Sequence, residues 1–205
     1  MSLAPGLELT PLTTFELPGA KIGQGMRLAG FVVDKQDLGS WCWAAVAVAI
    51  TRFYTGNTTD QCVLVTRILP LPAANPQATC CPAELHKGDK NCDRTFNTDA
   101  ALLTHLAPPP AGGPIPFSEI QNQIQGPSPE TGHPIACTLQ GGNEIAGAHA
   151  MAISGWAEVP LKAAAGPVRF VYYHDPITKG EEGWTLYSDF VQDGDVNWVE
   201  TYLTR

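Results

Sequence analysis

The spacing of apolar residues divides the chain into a helix-rich first half and a strand-rich second half. Apolar positions in the first half recur with helical periodicity. The predicted helices span residues 39–54, 60–69 and 99–106, with a fourth short helix around Phe117, Ile120 and Ile124. The run 43–50 has no polar face, so the first helix should be completely buried.

From Pro134 onward the pattern changes to short runs rich in Val, Ile, Tyr and Trp, which favour strands. The predicted strands span residues 135–139, 149–156, 169–175, 183–188 and 196–203. A helical lobe at about 40–126, followed by an antiparallel sheet lobe at about 133–205, indicates an α+β fold.

Composition narrows the range of partners. The chain has 205 residues, 44% of them hydrophobic, and a net charge of −8, with Lys and Arg scattered rather than clustered. A nucleic-acid or anionic membrane partner would require a basic patch, so we expect neither. No apolar run approaches the roughly 20 residues of a membrane span. We expect a monomer that needs no cofactor.

The six cysteines are unevenly distributed. Four lie close together, namely Cys62, Cys80, Cys81 and Cys92, whereas Cys42 and Cys137 stand apart. Two disulfides among the four would indicate an oxidising compartment and hence a secreted or periplasmic protein. A zinc site that includes His86 or His105 is an alternative, although adjacent cysteines fit one tetrahedral metal poorly and no CxxC pair is present. Reduced thiols are a third possibility, and the sequence does not reveal the connectivity.

Cys42 carries the strongest functional signal. Ser40 is a good helix cap, so Cys42 should lie in the first turn of the buried helix. Unpaired backbone N–H groups and the positive end of the helix dipole favour a thiolate there, and a thiolate is the nucleophilic form of cysteine.

The segment around Cys42 resembles the papain-like cysteine peptidases. Gln36 precedes Cys42 by six residues and Trp43 follows it; the string GSWCWAA is similar to a bacterial branch related to a plant-pathogen avirulence effector protease. The resemblance implies a papain-like fold, and an oxyanion hole formed by the Gln36 side-chain amide and the Cys42 backbone N–H. It implies a peptidase domain over 31–205, preceded by an extension, 1–30, of unknown role.

A catalytic thiol needs a base, and His149 is the best of the five histidines. It begins a predicted strand directly after a Gly-rich run at 141–147, a position typical of catalytic groups. It also resembles the family's Gly/Ala-His-Ala motif.

Hairpin geometry supplies a partner for this histidine. If the strand folds back near residues 161–162, His149 faces Asp175 in the simplest antiparallel register, and His174 points to the other face. A bulge of one residue would exchange the two faces. Asp175-Pro176 also resembles the Asp-Pro of the bacterial branch. Trp184 is a candidate shield for the Asp–His hydrogen bond.

Together these residues predict a Cys42–His149–Asp175 triad that hydrolyses peptide bonds of a protein or peptide substrate. The same triad could serve an amidase, a deamidase or an acyl transferase. A third hypothesis is an inert, disulfide-stapled binding module in which Cys42 pairs with Cys137.

Overall fold

The computed structural model describes residues 24–71, 78–102, 105–107, 111–126, 131–141, 148–160, 166–177, 181–194 and 196–205, with three short strands before residue 24. The helices are α1 (Cys42–Thr55), α2 (Gln61–Ile68), α3 (Thr98–Ala101), α4 (Phe117–Gln125) and α5 (Tyr187–Val191). The strands are β1 (Thr10–Pro11), β2 (Glu16–Leu17), β3 (Ala20–Lys21), β4 (Gln24–Arg27), β5 (Ala111–Gly112), β6 (Ile135–Gln140), β7 (Ala148–Val159), β8 (Val168–Asp175), β9 (Glu181–Leu186), β10 (Gln192–Asp193) and β11 (Val196–Leu203).

Helix α1 is the buried helix that its apolar run predicts. Every residue of 43–50 is at most 8% exposed. The helix begins three residues later than predicted, and its cap residue is Trp41 rather than Ser40. Ser40 lies in the preceding turn, where its N–H donates to Asp93 Oδ1 at 3.0 Å. Gly56 ends the helix in a left-handed conformation, with φ of 69°, that suits glycine.

The other predicted helices are present with shifted ends. Helix α2 lies within the predicted range, and α4 buries the predicted stripe of Phe117, Ile120 and Ile124. Helix α3 is much shorter than predicted, and it is Leu102, directly after its end, that is completely buried. Residues 103–104 of the predicted helix lie outside the described residues.

The second half forms an antiparallel sheet, so the general α+β class is confirmed. Strand β7 is central: β6 and β4 pair with successive parts of one edge, and β8 pairs with the other edge. Strand β11 extends the sheet beyond β6, and β9 extends it beyond β8. The predicted strand 183–188 is cut short because α5 begins at Tyr187.

Part of the N-terminal extension belongs to this sheet. Strand β4 pairs antiparallel with β7, and β1 pairs with β4. The peptidase-domain boundary predicted at residue 31 therefore separates two segments of one sheet. None of the helices in the described part of the chain is long and apolar enough to cross a membrane.

Two disulfides connect the four clustered cysteines, as predicted. The pairs are Cys62–Cys81 and Cys80–Cys92. The zinc alternative is wrong for these cysteines, because their sulfurs are bonded to each other rather than present as thiolates. The pairing of Cys42 with Cys137 is wrong as well, since both are free thiols.

Candidate active site

Cys42 is the first residue of α1, with its sulfur close to the start of β7. The first N–H that bonds within the helix is that of Ala45, to Trp41 O at 3.0 Å. The N–H groups ahead of it, including that of Cys42, are directed out of the helix end. The Ala150 N–H donates to Cys42 Sγ at 3.4 Å, and Cys42 is 6% exposed. The sulfur therefore lies next to the predicted base.

The segment 92–94, which the Cys80–Cys92 disulfide tethers at its first residue, holds the start of α1. The Trp41 indole donates to the Cys92 carbonyl at 2.8 Å, and the Trp43 indole donates to the Arg94 carbonyl at 3.2 Å. Asp93, in the same segment, accepts a hydrogen bond from the Ser40 N–H. The chain thus fixes the first turn of the helix through three hydrogen bonds to a disulfide-tethered segment.

His149 and Asp175 are joined as the sequence predicts. His149 Nε2 lies 2.8 Å from Asp175 Oδ1, and Asp175 Oδ1 also accepts the Ile177 N–H at 2.8 Å. His149 is buried, whereas Asp175 is half-buried. With Nε2 directed to the carboxylate, Nδ1 is the ring nitrogen left for the thiol.

The electrostatics favour a charged imidazole. Burial alone would lower the pKa of His149, but its contacts with Asp175 and with the Cys42 sulfur outweigh burial and raise the pKa to about 9. For Asp175, burial acts to raise the pKa, and the hydrogen bonds from His149 and the Ile177 N–H outweigh it and lower the pKa. The arrangement suits an imidazolium held between the Asp175 carboxylate and the Cys42 sulfur.

The register that brings His149 to Asp175 contains a β-bulge at Ser154. Gly155 pairs with Tyr172 on one side of it, and Ile153 pairs with Tyr173 on the other. The register of Ile153 and Tyr173, continued to the strand ends, places Asp175 two positions away from the residue directly opposite His149. The side chains of His149 and Asp175 therefore lie on the same face of the sheet.

The predicted pairing of His149 with Asp175 is thus wrong in its register, because the two residues are not directly opposite. It is correct that both side chains lie on the same face of the sheet. If the register of Gly155 continued without a bulge, Asp175 would oppose Ala152 and lie on the face opposite His149. A bulge is predicted to separate the two side chains, but in this hairpin it brings them to the same face.

Gln36 lies in a turn beside the triad. Its backbone N–H donates to the Pro176 carbonyl at 2.8 Å, which connects the turn to the residue after Asp175. Its side-chain Nε2 donates to Leu38 O at 2.8 Å and to Gly39 O at 2.6 Å, and its buried Oε1 has no partner. Both amide hydrogens are therefore used within the turn, and one must be redirected to bind an oxyanion.

The opposite face of β8 carries a second, buried network. His174 Nε2 accepts the Ser154 hydroxyl at 2.7 Å, and His174 Nδ1 lies 2.9 Å from Glu182 Oε2. Burial lowers the pKa of His174 to about 4, so its ring is neutral. Ser154 is 0% and His174 2% exposed, so no substrate could reach the Ser154 hydroxyl. This network fixes the bulge residue rather than performing chemistry.

Trp184 belongs to that same face. It pairs with Tyr172, and their ring centroids are 5.1 Å apart. Since Tyr172 and Asp175 project to opposite faces, Trp184 cannot shield the Asp175–His149 hydrogen bond, and that prediction is wrong.

The remaining histidines have partners elsewhere. His86 Nδ1 lies 3.2 Å from Asp89 Oδ2; Cys92 is close to both, but its sulfur is in a disulfide. His133 Nδ1 is 2.9 Å from the Tyr54 hydroxyl, and the His105 ring stacks on Tyr54 at 4.9 Å. Residues 142–147, which include most of the predicted Gly-rich run, lie outside the described residues.

Sequence reasoning missed the residues that support the site. Asp93, Trp41 and Trp43 support the site by hydrogen bonds to backbone groups, and such bonds have no sequence signature. Ser154 could not be identified because a bulge adds a residue without changing the apolar pattern of a strand that is buried on both faces.

Compared with models of known protein families, with curated proteins and with solved structures, the chain has no match. Its function is therefore inferred from the site alone.

Proposed function

We propose that this protein is a cysteine peptidase of the papain-like type. One observation carries the proposal: three functional side chains meet at the start of α1. Cys42 is a free thiol at the helix start, and His149, hydrogen-bonded to Asp175, lies beside it. A helical lobe packed on an antiparallel sheet is also the arrangement that the resemblance implies.

The mechanism follows from the roles that these groups can fill. His149 Nδ1 takes the Cys42 proton, and Asp175 holds the ring and stabilises the imidazolium. The thiolate attacks the peptide carbonyl, and the N–H groups at the start of α1 stabilise the oxyanion. Protonated His149 then gives its proton to the leaving amine, and water hydrolyses the thioester to release the acid and restore the thiol.

The decisive test is the hydrolysis of a denatured protein by Cys42→Ala. We expect hydrolysis to be abolished with a thermal midpoint within a few degrees of the unaltered protein, because only the sulfur is lost. Cys137→Ala is the matched control: it removes the other free thiol, which lies in β6 and contacts the Met151 carbonyl. It should remain active. Continued hydrolysis by Cys42→Ala would overturn the proposal.

The same experiment distinguishes hydrolysis from the other reactions of such a triad. Mass spectrometry of the products should show peptides that have gained one water at the cleaved bond. Conversion of glutamine to glutamate, or crosslinked products, without cleavage would instead identify a deamidase or an acyl transferase.

The two disulfides support function outside the reducing cytosol. We therefore propose a secreted or periplasmic peptidase whose substrates are proteins or peptides.

A further inference from the structure

A cleft of about 280 Å³ opens directly beside Cys42. Its walls come from the start of α1, from the segment 95–99 and from strands β6, β7 and β11. A cavity that touches the nucleophile is where a substrate side chain close to the scissile bond would bind. The inference below rests on the proposed function, because it names the substrate class of that same site.

The cleft is acidic. Among its described lining residues, the carboxylates are Asp99 and Glu200, and no Lys, Arg or His is present. Asp99 is half-buried and Glu200 is exposed. Both act on a third lining residue: burial, the hydrogen bond to Glu200 and the charges of Glu200 and Asp99 raise the pKa of Tyr202 to about 12. The charges of Asp99 and Glu200 therefore both act on the part of the cleft around the Tyr202 hydroxyl.

Glu200 is oriented by a neutral hydroxyl. The Tyr202 hydroxyl donates to Glu200 Oε2, and Thr138 lies next to that hydroxyl. A carboxylate accepts as many as about four hydrogen bonds, so one neutral phenol leaves capacity for a cationic donor.

The rest of the wall suits a long aliphatic stem. Trp43 and Phe96 line the cleft with ring centroids 5.6 Å apart. Lysine and arginine place their methylenes on apolar surfaces and extend their charged heads to polar groups. Asp and Glu side chains would meet repulsion from two carboxylates here.

We propose that this cleft binds a lysine or arginine side chain of the substrate, so that the protein cleaves peptides that carry a basic residue close to the scissile bond. Asp99 and Glu200 act as specificity residues.

The test uses fluorogenic peptides in which each of the four positions before the scissile bond is varied in turn. Arginine is compared with citrulline, its neutral isostere, and lysine with norleucine. At one position we expect kcat/KM to be severalfold to about tenfold higher for the basic member of each pair, since one carboxylate is exposed and the other half-buried, and water partly screens such charge pairs.

Glu200→Gln and Asp99→Asn then test the assignment. Each amide keeps an acceptor oxygen, for Tyr202 or for the Ala100 N–H, and removes only the charge. The arginine-to-citrulline ratio should fall severalfold in each variant and approach one in the double variant. Asp193→Asn, an exposed carboxylate on β10 outside the cleft, is the control and should keep the ratio.

A second measurement tests binding of a basic side chain in the cleft without requiring catalysis. N-acetyl-arginine amide should slow iodoacetamide labelling of Cys42 more than N-acetyl-citrulline amide does, and Glu200→Gln should remove the difference. Peptides cleaved with equal rates for both isosteres would overturn the inference and leave the proposed function standing. If no peptide is cleaved, the proposed function fails. In that case, unequal protection of Cys42 by the two amides would still support the cation-binding cleft, and equal protection would refute it.

Discussion

The protonation state of His149 depends on two contacts that oppose its burial. The Asp175 carboxylate and the Cys42 sulfur outweigh desolvation and raise the pKa to about 9, above the ordinary value of 6.5. The charged ring therefore persists until the pH rises through about 9, and the imidazolium needed to expel the leaving group is lost above that pH.

Asp175→Asn should move this limit. The amide removes the carboxylate charge while burial continues to disfavour the imidazolium, so the pKa of His149 should fall. We expect the basic limb of the kcat/KM profile to shift to lower pH, and kcat/KM at its optimum to fall by about 10²-fold or more. A pH–rate profile measures both. An unchanged basic limb would show that the limb belongs to another group.

Gln36 gives a second prediction at the level of one residue. If one amide hydrogen turns from the turn carbonyls to the oxyanion, Gln36→Ala should lower kcat by about 10²–10³-fold. Gln61→Ala is the matched control, because Gln61 also holds this turn, through the Asp37 N–H at 3.0 Å and the Lys35 carbonyl at 2.8 Å.

Both variants should lower the thermal midpoint, because each loses hydrogen bonds to the turn. Only Gln36→Ala should lower kcat strongly. Equal losses of kcat in the two variants would mean that Gln36 supports the turn and takes no part in oxyanion binding.

At the level of the elements, the Ser154 bulge sets which side chains share a face. Deleting Ser154 makes the pairs Gly155–Tyr172 and Ile153–Tyr173 consecutive in a regular ladder, and His149 stays on the face of Asp175. We expect kcat/KM within about tenfold of the unaltered protein. Stability should fall by about 1–3 kcal/mol, because His174 Nε2 loses its partner in the core. Denaturant titration measures the stability.

Insertion of one alanine between His174 and Asp175 is the opposite change. It moves the carboxylate to the other face of β8, so hydrolysis should be lost. A folded Ser154 deletion without activity, or an active insertion variant, would contradict this account of the site.

The Cys80–Cys92 disulfide should matter to catalysis because it tethers the segment 92–94, which holds the first turn of α1. Replacing both of these cysteines with serine should lower the stability by about 2–4 kcal/mol and also lower kcat/KM. Serines in place of Cys62 and Cys81 should lower stability by a similar amount. Their disulfide ties α2 instead, so kcat/KM should change less; equal kinetic losses would remove the proposed link to α1.

Most elements could be predicted from sequence because apolar periodicity depends only on which side of an element is buried. Helix α4 and strands β6 and β11 are clear examples. The start of α1 could not be predicted, because the N–H of Ser40 binds Asp93, which is distant in sequence. The bulge was hidden because β7 is buried on both faces and shows no alternation.

The candidate triad could be predicted because it needs only residue type, a helix start and the face of a hairpin. The register could not be predicted, since β-pairing depends on contacts that extend beyond the two strands.

For the whole molecule, the arrangement of the six cysteines gives a simple prediction. Without reductant, iodoacetamide at about pH 5.5 should label Cys42 in the native protein if His149 takes the proton of this thiol. An ordinary thiol, with a pKa of about 8.5, reacts very slowly at that pH, so the label would be specific. Cys137 should stay unlabelled, since burial raises its pKa. After denaturation at pH 8, two labels per chain should be found, because four cysteines are in disulfides. Peptide mapping by mass spectrometry counts them; a native protein labelled at neither cysteine would exclude a reactive Cys42.

The bulge has a further consequence for motif searches. His149 and Asp175 are 26 positions apart, and one of those positions is the extra residue at 154. A relative with a regular ladder would show a spacing shorter by one with the same two side chains in contact. A pattern that fixes the number of residues between the histidine and the acid would therefore reject functional sites, and one that allows a single-residue gap would retain them.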